Sequence, residues 1–186
     1  MTRPDWAVDL DPSPAGVLRQ DITALVRTPG VRRHLQVLVE GVEGIEAPSV
    51  DIVSNLVDVD LEMEIVGSQL VAAGELGAYW TGPCRRCLDP IHARVSVDVR
   101  EIFDTSPVEG ETYLLEEEFV DLRPMAREAL VLSLPIAPLC EESCAGPAPD
   151  AFPAGTADNP VAPDVAAKAD GDPRWAALDA LSFEEE

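Results

Sequence analysis

Two short cysteine pairs constrain the fold of this chain more than any other feature. Cys84 and Cys87 sit in Gly82-Pro83-Cys84-Arg85-Arg86-Cys87-Leu88, and Cys140 and Cys144 in Pro138-Leu139-Cys140-Glu141-Glu142-Ser143-Cys144-Ala145-Gly146; the sequence has no other cysteine. A C-x2-C pair and a C-x3-C pair, far apart in sequence, match what a tetrahedral zinc ion requires. Each pair bites the metal from one tight turn, and two turns close a four-thiolate shell. A fold that uses this shell must bring the two turns together. Such a shell leaves no coordination position open, so it staples structure rather than doing chemistry. The same thiols also admit plain packing, a disulfide, or a dithiol redox pair at Cys84 and Cys87. A redox C-x-x-C is expected where a strand runs into a helix, whereas this one falls between two strand patterns. His92, five residues after Cys87, is a spare ligand candidate and otherwise a surface strand histidine.

Compartment and charge narrow the function classes. No apolar run follows the single arginine of Met1-Thr2-Arg3-Pro4-Asp5-Trp6, and no stretch reaches the roughly 20 apolar residues that span a bilayer. The expectation is a cytoplasmic protein without a membrane partner, where paired thiols favour metal or redox roles over structural disulfides. The formal net charge is −22, and the acids crowd the second half: residues 101–186 carry four cations against 20 Asp and Glu. A polyanion repels nucleic acid at long range, so bulk phosphate binding is a poor fit and a basic protein partner a better one. Acidity that serves only solubility is the plain alternative.

Period-two patterning dominates the middle of the chain. Val57, Val59, Leu61, Met63 and Ile65 alternate with Asp58, Asp60, Glu62 and Glu64, which predicts a half-buried strand with an acidic, water-facing side. After the turn Gly67-Ser68-Gln69, residues Leu70 to Trp80 alternate as a return strand. A third run follows the first cysteine pair, with Ile91, Ala93, Val95, Val97 and Val99 on one side. Three such runs predict an antiparallel meander, with a further strand at His34–Glu40. Weaker strand signals occur at Trp6–Leu10, Asp21–Val26 and Tyr113–Phe119. Leu122, Met125, Ala126, Ala129, Leu130 and Ser133 recur at helical spacing, with Asp121 as a cap, Pro124 in the first turn and Pro135 as the stop. This predicts one main helix over 122–134. From 145 to 171 the chain is Ala, Pro, Gly and Asp with few large apolar residues, which predicts a disordered linker. Residues 172–183 then predict a short helix with Trp175, Leu178 and Leu181 on one side. The expected fold is α+β: an antiparallel β-rich core over 1–144, the linker, and the tethered C-terminal helix.

These motifs, taken in order, resemble the bacterial large ribosomal RNA subunit accumulation protein family, YceD. The resemblance rests on Leu25-Val26-Arg27-Thr28-Pro29-Gly30 with Arg32-Arg33, on Gly82-Pro83-Cys84-Arg85-Arg86-Cys87-Leu88-Asp89-Pro90, on Leu134-Pro135-Ile136-Ala137-Pro138-Leu139-Cys140 with Cys144-Ala145-Gly146, and on Asp172-Pro173-Arg174-Trp175-Ala176-Ala177-Leu178. It covers most of residues 17–181 and is similar to actinobacterial members. It implies a role in making, processing or stabilising large-subunit ribosomal RNA, with a link to a ribosomal protein. The chain departs from many relatives at Ala148-Pro149-Asp150-Ala151, where they carry a second Cys-Pro-x-Cys-Gly knuckle.

The reading that follows is a non-catalytic ribosome-biogenesis factor acting through a basic ribosomal protein or an assembly intermediate. Asp58, Asp60, Glu62 and Glu64 would form its partner-binding strip. The alternative is a zinc-dependent module that touches ribosomal RNA through Arg27, Arg32, Arg33, Arg85 and Arg86, with Arg94 and Arg100 as further positive charge. A weaker alternative is a dithiol redox protein. No Ser-His-Asp or Cys-His spacing and no phosphate-cradling glycine loop is present, and Glu116-Glu117-Glu118 reads as a solvated run. Catalysis is not expected.

Overall fold

Alternation of branched apolar residues with acids builds the longest strand, β4 (Asp51–Val66), and sets the sheet around it. A computed structural model describes residues 10–28 and 30–148. The expected strand at Trp6–Leu10, most of the linker and the closing helix with Trp175, Leu178 and Leu181 lie largely or wholly outside those residues. β3 (Arg32–Glu40), β4, β5 (Gln69–Pro83) and β6 (Pro90–Asp104) form the antiparallel meander that the period-two runs predict. Gly67, at φ +66, makes the tight β4–β5 turn, a left-handed conformation that costs glycine little.

Two short edge strands depart from the antiparallel expectation. β1 (Ser13–Pro14) pairs parallel to β3, and β7 (Tyr113–Leu114) pairs parallel to β6. A separate antiparallel ribbon joins β2 (Arg19–Asp21) to β8 (Phe119–Asp121). The stretch Asp21–Val26 is not a strand beyond its first residue; Thr23–Arg27 forms the short helix α1. The single strand expected at Tyr113–Phe119 is split into β7 and the start of β8 by the exposed Glu116–Glu118 run. β4 also starts earlier than its alternation suggests. Between Ile52 and Val57 its register shifts, and Ser54 and Asn55 take left-handed φ of 56° and 49°. Such a bulge bends and twists a strand.

Helix α2 (Arg123–Ser133) follows β8 and buries Met125, Ala126 and Leu130, with Leu122 just before it. It packs on β5 and β6, as its helical stripe requires. Asp121 lies one residue before the capping position, which Leu122 occupies. Its carboxylate accepts a hydrogen bond from the Arg123 amide at 3.0 Å and pairs with the Arg123 guanidinium at 2.6 Å. Pro124 fills the first turn and the helix stops before Pro135. The core-facing row of β4, from Val57 to Met63, is fully buried, as are Leu70, Ala72, Leu76 and Ala78 on β5. Each such aliphatic side chain of valine size or larger contributes about 1.5–3 kcal/mol on removal from water.

Candidate metal centre

The β5–β6 hairpin carries the first cysteine turn at its tip. The Cys84 amide donates to the Asp89 carbonyl at 2.8 Å, and the Leu88 amide to the Cys84 carbonyl at 2.9 Å. Leu88 closes this turn in the left-handed region at φ +66. Gly82 precedes it because a Cβ there would run into the Ser49 carbonyl. The loop before β4 therefore lies against the end of the hairpin.

The segment after α2 is drawn to the same place. Ser49 Oγ donates to the Ile136 carbonyl at 2.7 Å, and the Arg85 amide to the Pro138 carbonyl at 2.9 Å. The chain then turns through Cys140–Cys144, with the Cys144 amide donating to the Glu141 carbonyl at 3.1 Å. The two cysteine turns, far apart in sequence, thus meet.

All four Sγ atoms lie within 4.8 Å of one another. Cys84 Sγ is 3.8 Å from Cys144 Sγ, and Cys87 Sγ is 3.8 Å from Cys140 Sγ. A regular tetrahedron with zinc–sulfur bonds of about 2.3 Å has sulfur–sulfur edges of about 3.8 Å. The donor set, its number and its spacing therefore fit a structural zinc ion. Cys84 and Cys144 are buried, Cys87 is half-buried and Cys140 is exposed. Both of these 3.8 Å contacts run between the turns. His92 stands on β6 opposite Thr81, exposed and outside the four-thiol group.

Backbone amides make the site electropositive on one side. The Cys87 amide, with those of Cys140 and Arg86, lowers the Cys84 thiol to about 6 against the effect of burial. The Arg86 and Cys140 amides lie 3.4 and 3.5 Å from Cys84 Sγ. At Cys87 the Asp89 amide works in the lowering direction, but burial and the neighbouring thiols outweigh it and push the group up to about 12. The Cys144 thiol and burial raise Cys140 as well. Cys84 is thus held toward the thiolate, the form that binds metal, and a cation at the centre would displace protons from the cluster.

Arg86 does something that its sequence position does not reveal. Its guanidinium does not reach a sulfur; Nη1 donates to the Glu142 carbonyl at 3.0 Å and to the Cys144 carbonyl at 2.9 Å. It clamps the second turn to the first. Arg85 and Arg86 thus split into a clamp and an arginine whose guanidinium makes no hydrogen bond or ion pair to a described residue.

The acidic strip departs from the expectation that all of it faces water. Asp58 is 3% exposed. It pairs with Arg94, which reaches across β5 and also holds Glu75 at 2.9 Å. Gly77, opposite Asp58 on β5, leaves the room, since a Cβ there would collide with both Arg94 and Asp58. Asp60 binds His34 at 2.5 Å and Gln36 at 2.9 Å, while Arg32 binds Glu64 at 3.0 Å and Glu62 at 3.3 Å. The strip is one side of a cross-strand ladder of ion pairs and hydrogen bonds. Four of the arginines singled out from sequence, Arg32, Arg33, Arg86 and Arg94, hold partners within the chain. Arg27 and Arg33 flank an open depression with Asp21, where Arg33 Nη1 donates to the Asp21 carbonyl at 2.5 Å. Arg100 lies beside Arg32, Glu62 and Glu64.

A family profile described as "Large ribosomal RNA subunit accumulation protein YceD" matches residues 72–182, a span holding both cysteine turns and α2. Uncharacterized proteins of Mycobacterium tuberculosis and Mycobacterium bovis are 31% identical over 174 residues, covering 88% of this chain and 81% of theirs. An uncharacterized Mycobacterium leprae protein is 31% identical over 135 residues, 68% of this chain and 62% of its own. No solved structure matches the chain. On the matched span and the length of these alignments, the chain belongs to the large ribosomal RNA subunit accumulation protein YceD family.

Proposed function

We propose that this protein is a non-catalytic ribosome-biogenesis factor. It supports the processing or accumulation of large-subunit ribosomal RNA through a basic ribosomal protein, and zinc on Cys84, Cys87, Cys140 and Cys144 staples its fold. The match over residues 72–182, with its family's link to large ribosomal RNA accumulation, carries the reading. When bound, the metal would supply cross-linking of the hairpin tip to the segment after α2. The chain's own part is to present four thiols at tetrahedral spacing and to brace the second turn with Arg86. The −22 net charge supports a basic protein as the direct partner. Association with it should weaken as salt screens the charges.

Depletion from cells tests the function. The ratio of large- to small-subunit ribosomal RNA is expected to fall, and an unchanged ratio would overturn the reading. Affinity purification with nuclease treatment separates the two partners. A basic ribosomal protein retained after nuclease supports the protein-mediated route. Its loss favours direct RNA contact, for which the depression flanked by Arg27 and Arg33 and the side chain of Arg85 are the places to look.

A further inference from the structure

β6 is the last long strand of the sheet, and among the described residues most of its far edge is open. Its inner edge pairs with β5 from Pro90 to Phe103. On the other side, β7 takes only Phe103 and Asp104. From residue 91 to residue 102 no described strand pairs with this outer edge. A long unpaired edge is a template for another strand unless something guards it. The opposite free edge, on β3, is guarded: Arg33 stands on the core-facing side, with Arg32 and His34 on the other.

Burial shows the same incompleteness. On the core-facing side of β6, Ile91, Ala93, Val95 and Val97 stay only partly buried, while the matching row of β4 is sealed from Val57 to Met63. A strand added beside β6 would cover these four. At the β7 end, the edge opens into a groove of about 390 Å³ between β6, the segment before β7 and α2. Glu101, Glu109, Glu111 and Glu128 line it, and Leu132, 80% exposed, stands at its side. Glu101 of β6 lines the groove and β7 takes the edge only at Phe103 and Asp104, so the groove adjoins the end of the open edge.

The geometry points to strand addition at β6: an extended, basic segment of a partner protein pairs with the edge at 91–102 and places its cationic end in the glutamate groove. Backbone pairing supplies affinity, and the side chains over Val95 and Val97 supply register. The charge selects the occupant. Two copies of a chain carrying −22 repel each other, whereas a cationic strand is drawn in. This inference rests on the proposed basic ribosomal partner and names the surface that partner would use.

The probe is a capped peptide of about twelve alternating valine and lysine residues, long enough to span the edge at about 3.3 Å per residue. It is titrated into the full zinc-loaded chain while amide hydrogen exchange is read residue by residue. Protection of amides within 91–102 is expected. Alternate N-methylation of the peptide backbone should abolish binding, since it removes the ladder without touching charge. Reversal of the exposed Glu109 and Glu111 to lysine should weaken binding about tenfold at low salt. Binding that leaves β6 exchange unchanged, or that survives N-methylation, would overturn the inference. So would protection of 91–102 that grows with protein concentration in the absence of peptide, which would assign the edge to a second copy. These readouts do not depend on ribosomal RNA levels. A failed titration beside a lowered large-subunit RNA ratio removes the edge and leaves the proposed function in place.

Discussion

The hairpin tip and the acidic face of the same sheet both drew attention as sequence patterns, and the structure treats them oppositely. At the tip, residues 53 to 60 positions apart gather with sulfur–sulfur contacts of 3.8 Å. On the face, a strip of four like charges becomes a ladder of pairs with Arg32, His34 and Arg94. Ligand spacing states a requirement that only convergence satisfies, so it survives folding. Charge alternation along one strand says nothing about what the neighbouring strands set opposite it.

The largest expected effect tests the tip. Protein purified without chelator should contain about one zinc per chain. Cys84→Ser and Cys144→Ser, which strike the buried ligands, should reduce that to near zero and release the second turn from the hairpin. Arg86→Ala should lower occupancy less, because the sulfurs remain and only the clamp on the Glu142 and Cys144 carbonyls goes. Elemental analysis with amide exchange at residues 84–89 and 138–144 checks both. Full zinc content in the two serine variants would show that the cluster is not the metal site.

The next effect breaks the face open at its buried end. Removing one partner of a buried ion pair costs about 3–5 kcal/mol, because the other charge is left uncompensated. Asp58→Ala should fall at or below the low end of that range, since Arg94 would keep Glu75, which is itself half in water. Gly77→Ala should approach it for a different reason: the added methyl displaces the same pair. The double variant should then cost well under the sum, as coupled sites do. Additive losses in denaturant titrations would show that Gly77 is small for some other reason.

How much of this was legible in sequence follows from which signals are local. The β3–β6 meander and α2 could be read because period two and period 3.6 persist over many residues, and Pro124 and Pro135 mark the helix ends. The meeting of the cysteine turns could be read because metal-ligand spacing carries its own geometry. α1 could not, since five residues are too few to show a period. β1 and β7, two residues each, carry no pattern at all. The Ser54-Asn55 bulge has a retrospective signal only in Asn55, a residue type that visits left-handed backbone more readily than most. The burial of Asp58 escaped because alternation reports which side a residue faces and not what covers it. Arg94 covers it from two strands away, through the gap at Gly77.

Acid should sharpen the contrast with a smaller, collective effect. Hydrogen bonds from Arg94 hold the Glu75 carboxyl below its ordinary 4.5, and Arg123 holds Asp121 below 3.8. A group whose folded pKa is depressed contributes stability that is complete above its unfolded value and is lost as pH falls through the folded one. Stability should therefore hold, or rise slightly, from neutral pH to about 5 as self-repulsion is titrated away. It should drop below about pH 4. Glu75→Gln should flatten part of that drop. Denaturation midpoints that stay level to about pH 3 would mean these pairs add nothing to folding.

The smallest effect belongs to the water-facing end of the ladder. Arg32 is 64% exposed, and its partners Glu62 and Glu64 are 56% and 31% exposed. Pairs of this kind contribute about 0–1 kcal/mol and weaken with salt. Arg32→Ala, Glu62→Ala and Glu64→Ala should each shift stability within that range, and the shift should shrink in high salt. If a basic partner uses this end of the strip, Glu62→Lys with Glu64→Lys should impair association far more than folding. Arg32→Ala should then strengthen association, because it frees two carboxylates. Association unchanged in both variants would mean the ladder is a closed surface. The partner would have to be sought elsewhere on the molecule, with the open edge of β6 the first place to look.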